Sequence, residues 1–186
     1  MPDLDLSPTP LPGVMLVRRR PHADERGSFA RLFCADALAP AGWQGPIAQI
    51  NHSRTTARGT VRGLHYQHAP AAEMKLVSCV HGQVWDVAVD LRRDSPTFLR
   101  WHAQVLSPEL AVAMLIPPGC AHGFQALSDD VQLIYCHSVP FAPQLQGGVS
   151  AADPRLAIAW PLPIARMSER DASLPPLAHG FAGLAS

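Results

Sequence analysis

An excess of charge of either sign is the first thing this 186-residue sequence lacks: fifteen Lys and Arg stand against fifteen Asp and Glu. Without a uniform field there is nothing to hold a polyanion, so a nucleic-acid partner is not expected. Charged residues amount to only 16% and apolar ones to 47%, which excludes a disordered polar chain. The local cluster Arg18, Arg19 and Arg20 is either a positive rim or a solvated strand end. Long apolar runs are also missing. The longest, around 110–116, falls far short of the roughly 20 residues that a membrane span requires, so no membrane role is expected. The N-terminus has no basic stretch followed by an apolar one, so no secretory signal is expected. Cys34, Cys79, Cys120 and Cys136 form no CxxC pair and are too widely spaced for a disulfide framework. Buried free thiols in a cytoplasmic, reducing setting are expected instead.

Long amphipathic helices are scarce as well. Nineteen prolines and thirteen glycines cut the chain into short pieces, most of them near-alternating and rich in β-branched or aromatic residues. Strands are expected over 14–19, 29–34, 47–52, 60–67, 73–80, 83–91, 101–106, 114–116 and 131–138, and short helices over 35–41 and after Ser168. Gly82, after His81, suits a tight hairpin turn. So many short strands argue for one mostly β domain over 1–186, a sandwich or barrel, and a jelly roll fits. An N-terminal arm (1–12, Pro-rich over 7–12) and a tail (175–186) are left outside its core.

Strand parity sorts the central residues. Trp85, Val87, Val89 and Leu91 share one face, and Asp86 and Asp90 share the other, which must be solvated, paired or functional. Lys75 is in phase with Val77 and Cys79. It either finds a partner among apolar neighbours or snorkels to solvent.

Two runs concentrate chemistry: 51–67, with Arg62, His65 and Gln67, and 117–124, which sets His122 between glycines. Histidine exchanges protons near neutrality. The residues alone leave two readings open. His65, Gln67, Glu73 and His122 loosely follow a metal-ligand order, with Gln67 standing where an imidazole would suit a transition metal better. Alternatively, His65 as base, Tyr135 as acid and Lys75 as cation are the parts needed to move a proton at a carbon next to a carbonyl.

The ordered segments DERG (24–27), GTVRGLHYQ (59–67), KLV (75–77), DVAVDLR (86–92), SPTF (95–98), IPPGCAHGF (116–124), DP (153–154) and WP (160–161) closely resemble the dTDP-4-dehydrorhamnose 3,5-epimerase family. The likeness runs over nearly the whole chain. It implies a cupin-type jelly roll, a homodimer whose N-terminal strands cross to the partner, and an active site inside the barrel that uses neither metal nor cofactor. By the same resemblance His65 is the base, Tyr135 the acid on the opposite sugar face, and Asp171 the carboxylate that orients the base; Ser168 and Asp171 also form a helix-capping box. Lys75 and His122 fall near the sugar and its C4 oxygen, Arg62 and Arg26 at the diphosphate, and Gln49, Asn51 and Arg170 at further substrate contacts. The resemblance also matches Phe29 to an aromatic that stacks on the base. Arg62 and His65 differ in strand parity, so both reach one cavity only through a bulge, which Gly63 permits.

The chain departs from the family at Arg31, where a Glu meets the thymine, and at Gln146, where a second Glu stands near the ligand. Phe141 replaces a tyrosine near the sugar, and Ala151 a tryptophan. These changes bear on the nucleobase and the sugar. The expected activity is C3 and C5 epimerisation of a nucleoside-diphosphate 4-keto-6-deoxy sugar, dTDP-linked, for deoxysugar or polysaccharide synthesis. The alternatives are epimerisation at one carbon, a GDP-, CDP- or UDP-linked substrate, or a catalytically weak binding protein.

Overall fold

The computed structural model describes residues 3–185. The described chain forms strands β1 (Leu4–Pro8), β2 (Met15–Arg19), β3 (His22–Asp24), β4 (Gly27–Phe29), β5 (Gln49–Thr55), β6 (Val61–Gln67) and β7 (Lys75–His81). These are followed by β8 (Val84–Asp90), β9 (Trp101–Leu106), β10 (Val112–Ile116), β11 (Cys120–Ala126), β12 (Val131–His137) and β13 (Gln146–Gly148). Two short α-helices, α1 (Ala35–Leu38) and α2 (Glu169–Ala172), and two 3-10 turns, Ala39–Ala41 and Pro143–Leu145, complete the set. A six-stranded sheet, β1-β2-β10-β7-β12-β5, packs on a five-stranded one, β13-β6-β11-β8-β9. The result is a jelly-roll sandwich, with β3 and β4 forming a separate hairpin.

Three apolar layers follow from the alternation. Between the sheets, Val77, Met114 and Leu133 meet Ala88, Leu106 and Phe124. Phe124 is 1% exposed, and truncating such a side chain to Ala costs about 3–5 kcal/mol. Outside the larger sheet, Leu76, Ala113 and Leu115 are covered by Leu38 and Trp43. Outside the smaller one, Leu64, Val87 and Val89 are covered by Leu156, Leu177 and Leu184.

That third layer resolves the two faces of β8. The apolar stripe with Val87 and Leu91 faces outward beneath the C-terminal segment, while Asp86 and Asp90 are fully buried on the other face. Asp90 accepts hydrogen bonds from Arg92 Nε (2.8 Å), Ser95 Oγ (2.5 Å) and Thr97 Oγ1 (2.6 Å). Asp86 takes His122.

Several expectations need correction. The described part of the arm, from residue 3, is not outside the core: β1 pairs with β2, and Leu11 is 1% exposed inside the barrel; residues 1 and 2 lie outside the described residues. The tail likewise buries Leu177 and Leu184, and Leu184 bridges to Arg92. The strand expected over 29–34 is only β4, ending at Phe29, because Phe33 instead turns onto the edge of Trp43, with ring centroids 4.9 Å apart. Strand β11 was not expected from the sequence, since every one of its residues is buried and alternation is absent. Cys79, Cys120 and Cys136 are buried free thiols and Cys34 is a half-buried one; burial pushes Cys79 up to about 11 and Cys120 to about 12. No described helix is long and apolar enough to cross a membrane.

Candidate active site

Along β7 and β12 the inward face changes character. Val77, Cys79, Val131 and Leu133 belong to the core, whereas Lys75, Tyr135 and His137 open onto a cavity of about 390 Å³. Strand β6 contributes His65 and Gln67, and β11 contributes His122. Opposite β6 the register shifts between His122 and Phe124, so that His122 pairs with His65 but Phe124 pairs with Arg62. This is the bulge that lets Arg62 and His65 line one cavity. Gly63 sits at it with φ +116°. A Cβ there would stand 2.7 Å from Gly123 Cα, and one on Gly123 would stand 2.7 Å from Arg62 O. The two facing glycines therefore let β6 and β11 approach closely.

His65 Nε2 lies 2.7 Å from Asp171 Oδ1. The other carboxylate oxygen accepts the Gly63 N–H at 3.1 Å. Ser168 Oγ accepts the Asp171 N–H at 3.1 Å, so Ser168 caps α2 while Asp171 reaches the histidine. Burial pushes the Asp171 carboxyl up, but the hydrogen bonds from His65 and Gly63 outweigh it and hold it below its ordinary value. An ionised carboxylate only accepts. His65 Nε2 therefore carries the proton, and the basic atom of the neutral ring is Nδ1.

A second such pair lies deeper. His122 Nε2 is 2.7 Å from Asp86 Oδ1, and Asp86 Oδ2 has no partner among the described residues. Tyr135 stands edge-on to His122, with ring centroids 6.0 Å apart, and its hydroxyl is 3.3 Å from Ser53 Oγ. Burial raises the phenol's pKa well above the ordinary tyrosine value. Tyr135 therefore holds its proton at neutral pH and is a donor, not a base.

Lys75 does not snorkel. Its Nζ is 2.8 Å from Glu73 Oε1, and Glu73 also accepts from Gln67 Nε2. His65, Gln67, Glu73 and His122 do meet in the cavity, yet no three or more His, Cys, Asp or Glu are grouped to hold a metal ion among the described residues. Gln67 and Glu73 hold each other, and each histidine gives its Nε2 to a carboxylate.

The remaining expected site residues divide in two. Asn51, Arg62, Phe141, Gln146 and Arg170 line the cavity, with Arg62 anchored on Thr55 Oγ1 at 2.9 Å and Arg54 O at 3.0 Å. Gln49 lies just outside, donating to Asn51 Oδ1 and accepting the Phe141 N–H, both at 2.9 Å. Arg26 and Phe29 are not brought to this cavity. They occupy the β3–β4 hairpin, where Arg26 pairs with Asp24 and Phe29 is 71% exposed. Arg31 is also absent from the cavity wall and pairs with Asp3 at 2.8 Å. Ala151 is buried elsewhere, where its carbonyl accepts the Trp160 indole N–H, so its small size removes no bulk from this wall. Sequence reasoning missed Ser53 and His137, which line the cavity. Their signal was parity, since His137 is two residues beyond Tyr135 and Ser53 two beyond Asn51.

The sequence model of the family described as dTDP-4-dehydrorhamnose 3,5-epimerase matches residues 8–179. The chain belongs to this family. A curated dTDP-4-dehydrorhamnose 3,5-epimerase from Pseudomonas aeruginosa is 44% identical over 163 residues, covering 87% of this chain and 89% of the relative. The fold matches the dTDP-6-deoxy-D-glucose-3,5-epimerase of Legionella pneumophila, solved in complex with dTDP-4-keto-L-rhamnose, with TM-score 0.91, 34% identity and 98% of each chain covered. It also matches a 3'-monoepimerase of Streptomyces bikiniensis solved with dTDP-quinovose, with TM-score 0.84, 34% identity, and 91% of this chain and 86% of that one covered. The jelly roll is thus the cupin-type barrel of these epimerases.

Proposed function

We propose that the chain epimerises dTDP-4-dehydro-6-deoxyglucose at C3 and C5 to give dTDP-4-dehydrorhamnose. The observation that carries this reading is the meeting, in one cavity, of a carboxylate-oriented histidine, a protonated tyrosine, the Lys75 amine and a second histidine, His122. The C4 ketone acidifies the protons on C3 and C5. His65 Nδ1 removes one of them, and the electron pair of the broken C–H bond passes to the C4 oxygen as an enolate. Lys75 stabilises that oxygen, with His122 beside the sugar. Tyr135 then delivers its proton to the opposite face of the carbon, and a positioned acid or base of this kind contributes roughly 10²- to 10⁴-fold in rate. Asp171 fixes the tautomer of His65 and favours the imidazolium that forms. Arg62 holds the diphosphate, with Asn51, Gln49, Gln146, Phe141 and Arg170 around the nucleotide sugar.

The protein acts as a cytoplasmic homodimer in this reading, and the β3–β4 hairpin, with Arg26 and Phe29, and Arg31 just after it complete the partner's cavity. Their exposure outside this chain's own cavity supports that arrangement. Sedimentation at micromolar concentration is expected to give a dimer, and Arg26→Ala to raise KM with kcat little changed; a monomer with full activity sinks the arrangement.

Proton NMR of dTDP-4-keto-6-deoxyglucose with the protein in D2O tests the reaction. Exchange at both carbons is expected. Exchange at C3 alone makes the protein a mono-epimerase, like the 39%-identical dTDP-4-dehydrorhamnose 3-epimerase of Streptomyces niveus. No exchange with the dTDP sugar, but exchange with a GDP-, CDP- or UDP-linked one, moves the specificity; no exchange with any of them rejects the reading.

A further inference from the structure

One cavity side chain has no part in that reaction. His137 follows Tyr135 by two residues on β12 and points into the same cavity. Its ring lies nearly parallel to the phenol ring, with centroids 6.2 Å apart and planes at 23°, a geometry in which aromatic rings attract. His122 meets the same phenol edge-on from another strand, so Tyr135 stands between two imidazoles. His137 is itself held. An amide nitrogen only donates, so Asn51 Nδ2, 3.3 Å away, donates to Nε2. That leaves the ring's proton on Nδ1, which lies 3.9 Å from Glu73 Oε1. Burial, with Lys75 and His122 nearby, lowers its pKa to about 4. The ring is therefore uncharged at neutral pH.

Resting on the epimerase reading, we infer that His137 is a positioning residue that holds the Tyr135 phenol against the sugar face opposite His65. Each enolate formed in D2O has two fates. Once the proton it took has exchanged with solvent, His65 returns a deuteron to the face that lost the proton, giving label with retention, or Tyr135 supplies one to the other face, giving label with inversion. The retention-to-inversion ratio at early times reports where the phenol stands, and it does not depend on how much folded enzyme is present. Small misplacements at a reacting centre have large rate effects.

The test measures this ratio by proton NMR for wild type, His137→Leu and His137→Phe. The leucine fills the space without a flat ring and is expected to raise the ratio about tenfold; phenylalanine keeps the flat ring and should stay within about twofold of wild type. If His137→Leu yields no folded protein, His137→Gln replaces it in the same comparison. An unchanged ratio in the ringless variant, or an equal rise in His137→Phe, overturns the inference while wild-type exchange leaves the epimerase reading standing. Absence of exchange in wild type overturns both.

Discussion

The two histidine–carboxylate pairs have the same length, 2.7 Å through Nε2 in each case, but their settings differ. His65 is 28% exposed at the side chain, and its Asp171 is satisfied at both oxygens. His122 is 7% exposed, and its Asp86 is fully buried with one oxygen unpartnered among the described residues. The first pair is open to a substrate and rests on a capped helical turn from outside the sheet. The second is built into the barrel between β8 and β11. Equal geometry therefore supports unequal duties: a base that must be reached, and a ring whose place is fixed by the core.

Removing each histidine separates those duties. His65→Ala is expected to lower the exchange rate at both carbons by about 10²- to 10⁴-fold, while its melting temperature stays within about 3 °C of wild type, since Asp171 keeps the Gly63 N–H. Retained exchange would remove His65 from the reaction. His122→Ala leaves Asp86 without any partner in the core, and breaking a buried pair in this way costs about 3 kcal/mol or more. In a chain of this size that is a fall of about 10 °C in Tm by calorimetry. If the two alanine variants melt together, the contrast between the pairs is wrong.

Smaller perturbations sharpen the comparison. Ser168→Ala removes the cap of α2 at a cost of about 1 kcal/mol and loosens Asp171 but not Asp86; kcat should fall a few-fold with KM steady, and Asp86-side stability should be untouched. The pH dependence of Tm gives the finest test. His137 is lowered from 6.5 to about 4 in the fold, so between those values the unfolded chain binds a proton that the folded ring does not. Stability therefore falls as pH drops from 6.5 toward 4. The lowered carboxyl of Asp171 acts below that window, as pH falls beneath about 3.8 and through its folded value. His137→Phe is expected to flatten Tm between pH 6.5 and 4, with a residual slope from His102, which burial also lowers. An undiminished slope would show that the His137 ring is not desolvated.

How much of this was legible depended on whether a residue's partner is local. Lys75 was put in phase with Val77 and Cys79 by strand period, and it shares their inward face; His65 and Tyr135 were singled out by the residue types around them and by the family resemblance. The Ser168–Asp171 box was visible because it spans one helical turn. The orientation of β8 was not, because an apolar stripe points inward or outward according to what covers it, and its cover, Leu156, Leu177 and Leu184, lies far along the chain. Strand β11 hid for a related reason: burial on both faces erases alternation. Glu73 was weighed only as a metal ligand, and its real neighbours, Lys75, Gln67 and His137, were apparent only once β6, β7 and β12 stood side by side. Arg31 and Phe29 were expected at a cavity that their own chain does not bring to them.

The facing glycines give the site an unusual ruler. His65 and His122 are register partners across β6 and β11, and backbone atoms at Gly63 and Gly123 meet where any Cβ would collide. The spacing between the two imidazoles is thus gauged by bare main chain, not by side chains that repack. Changes in the surrounding core can alter how firmly the barrel holds together and still leave that spacing unchanged, so the site can keep its calibration while the rest of the sequence drifts.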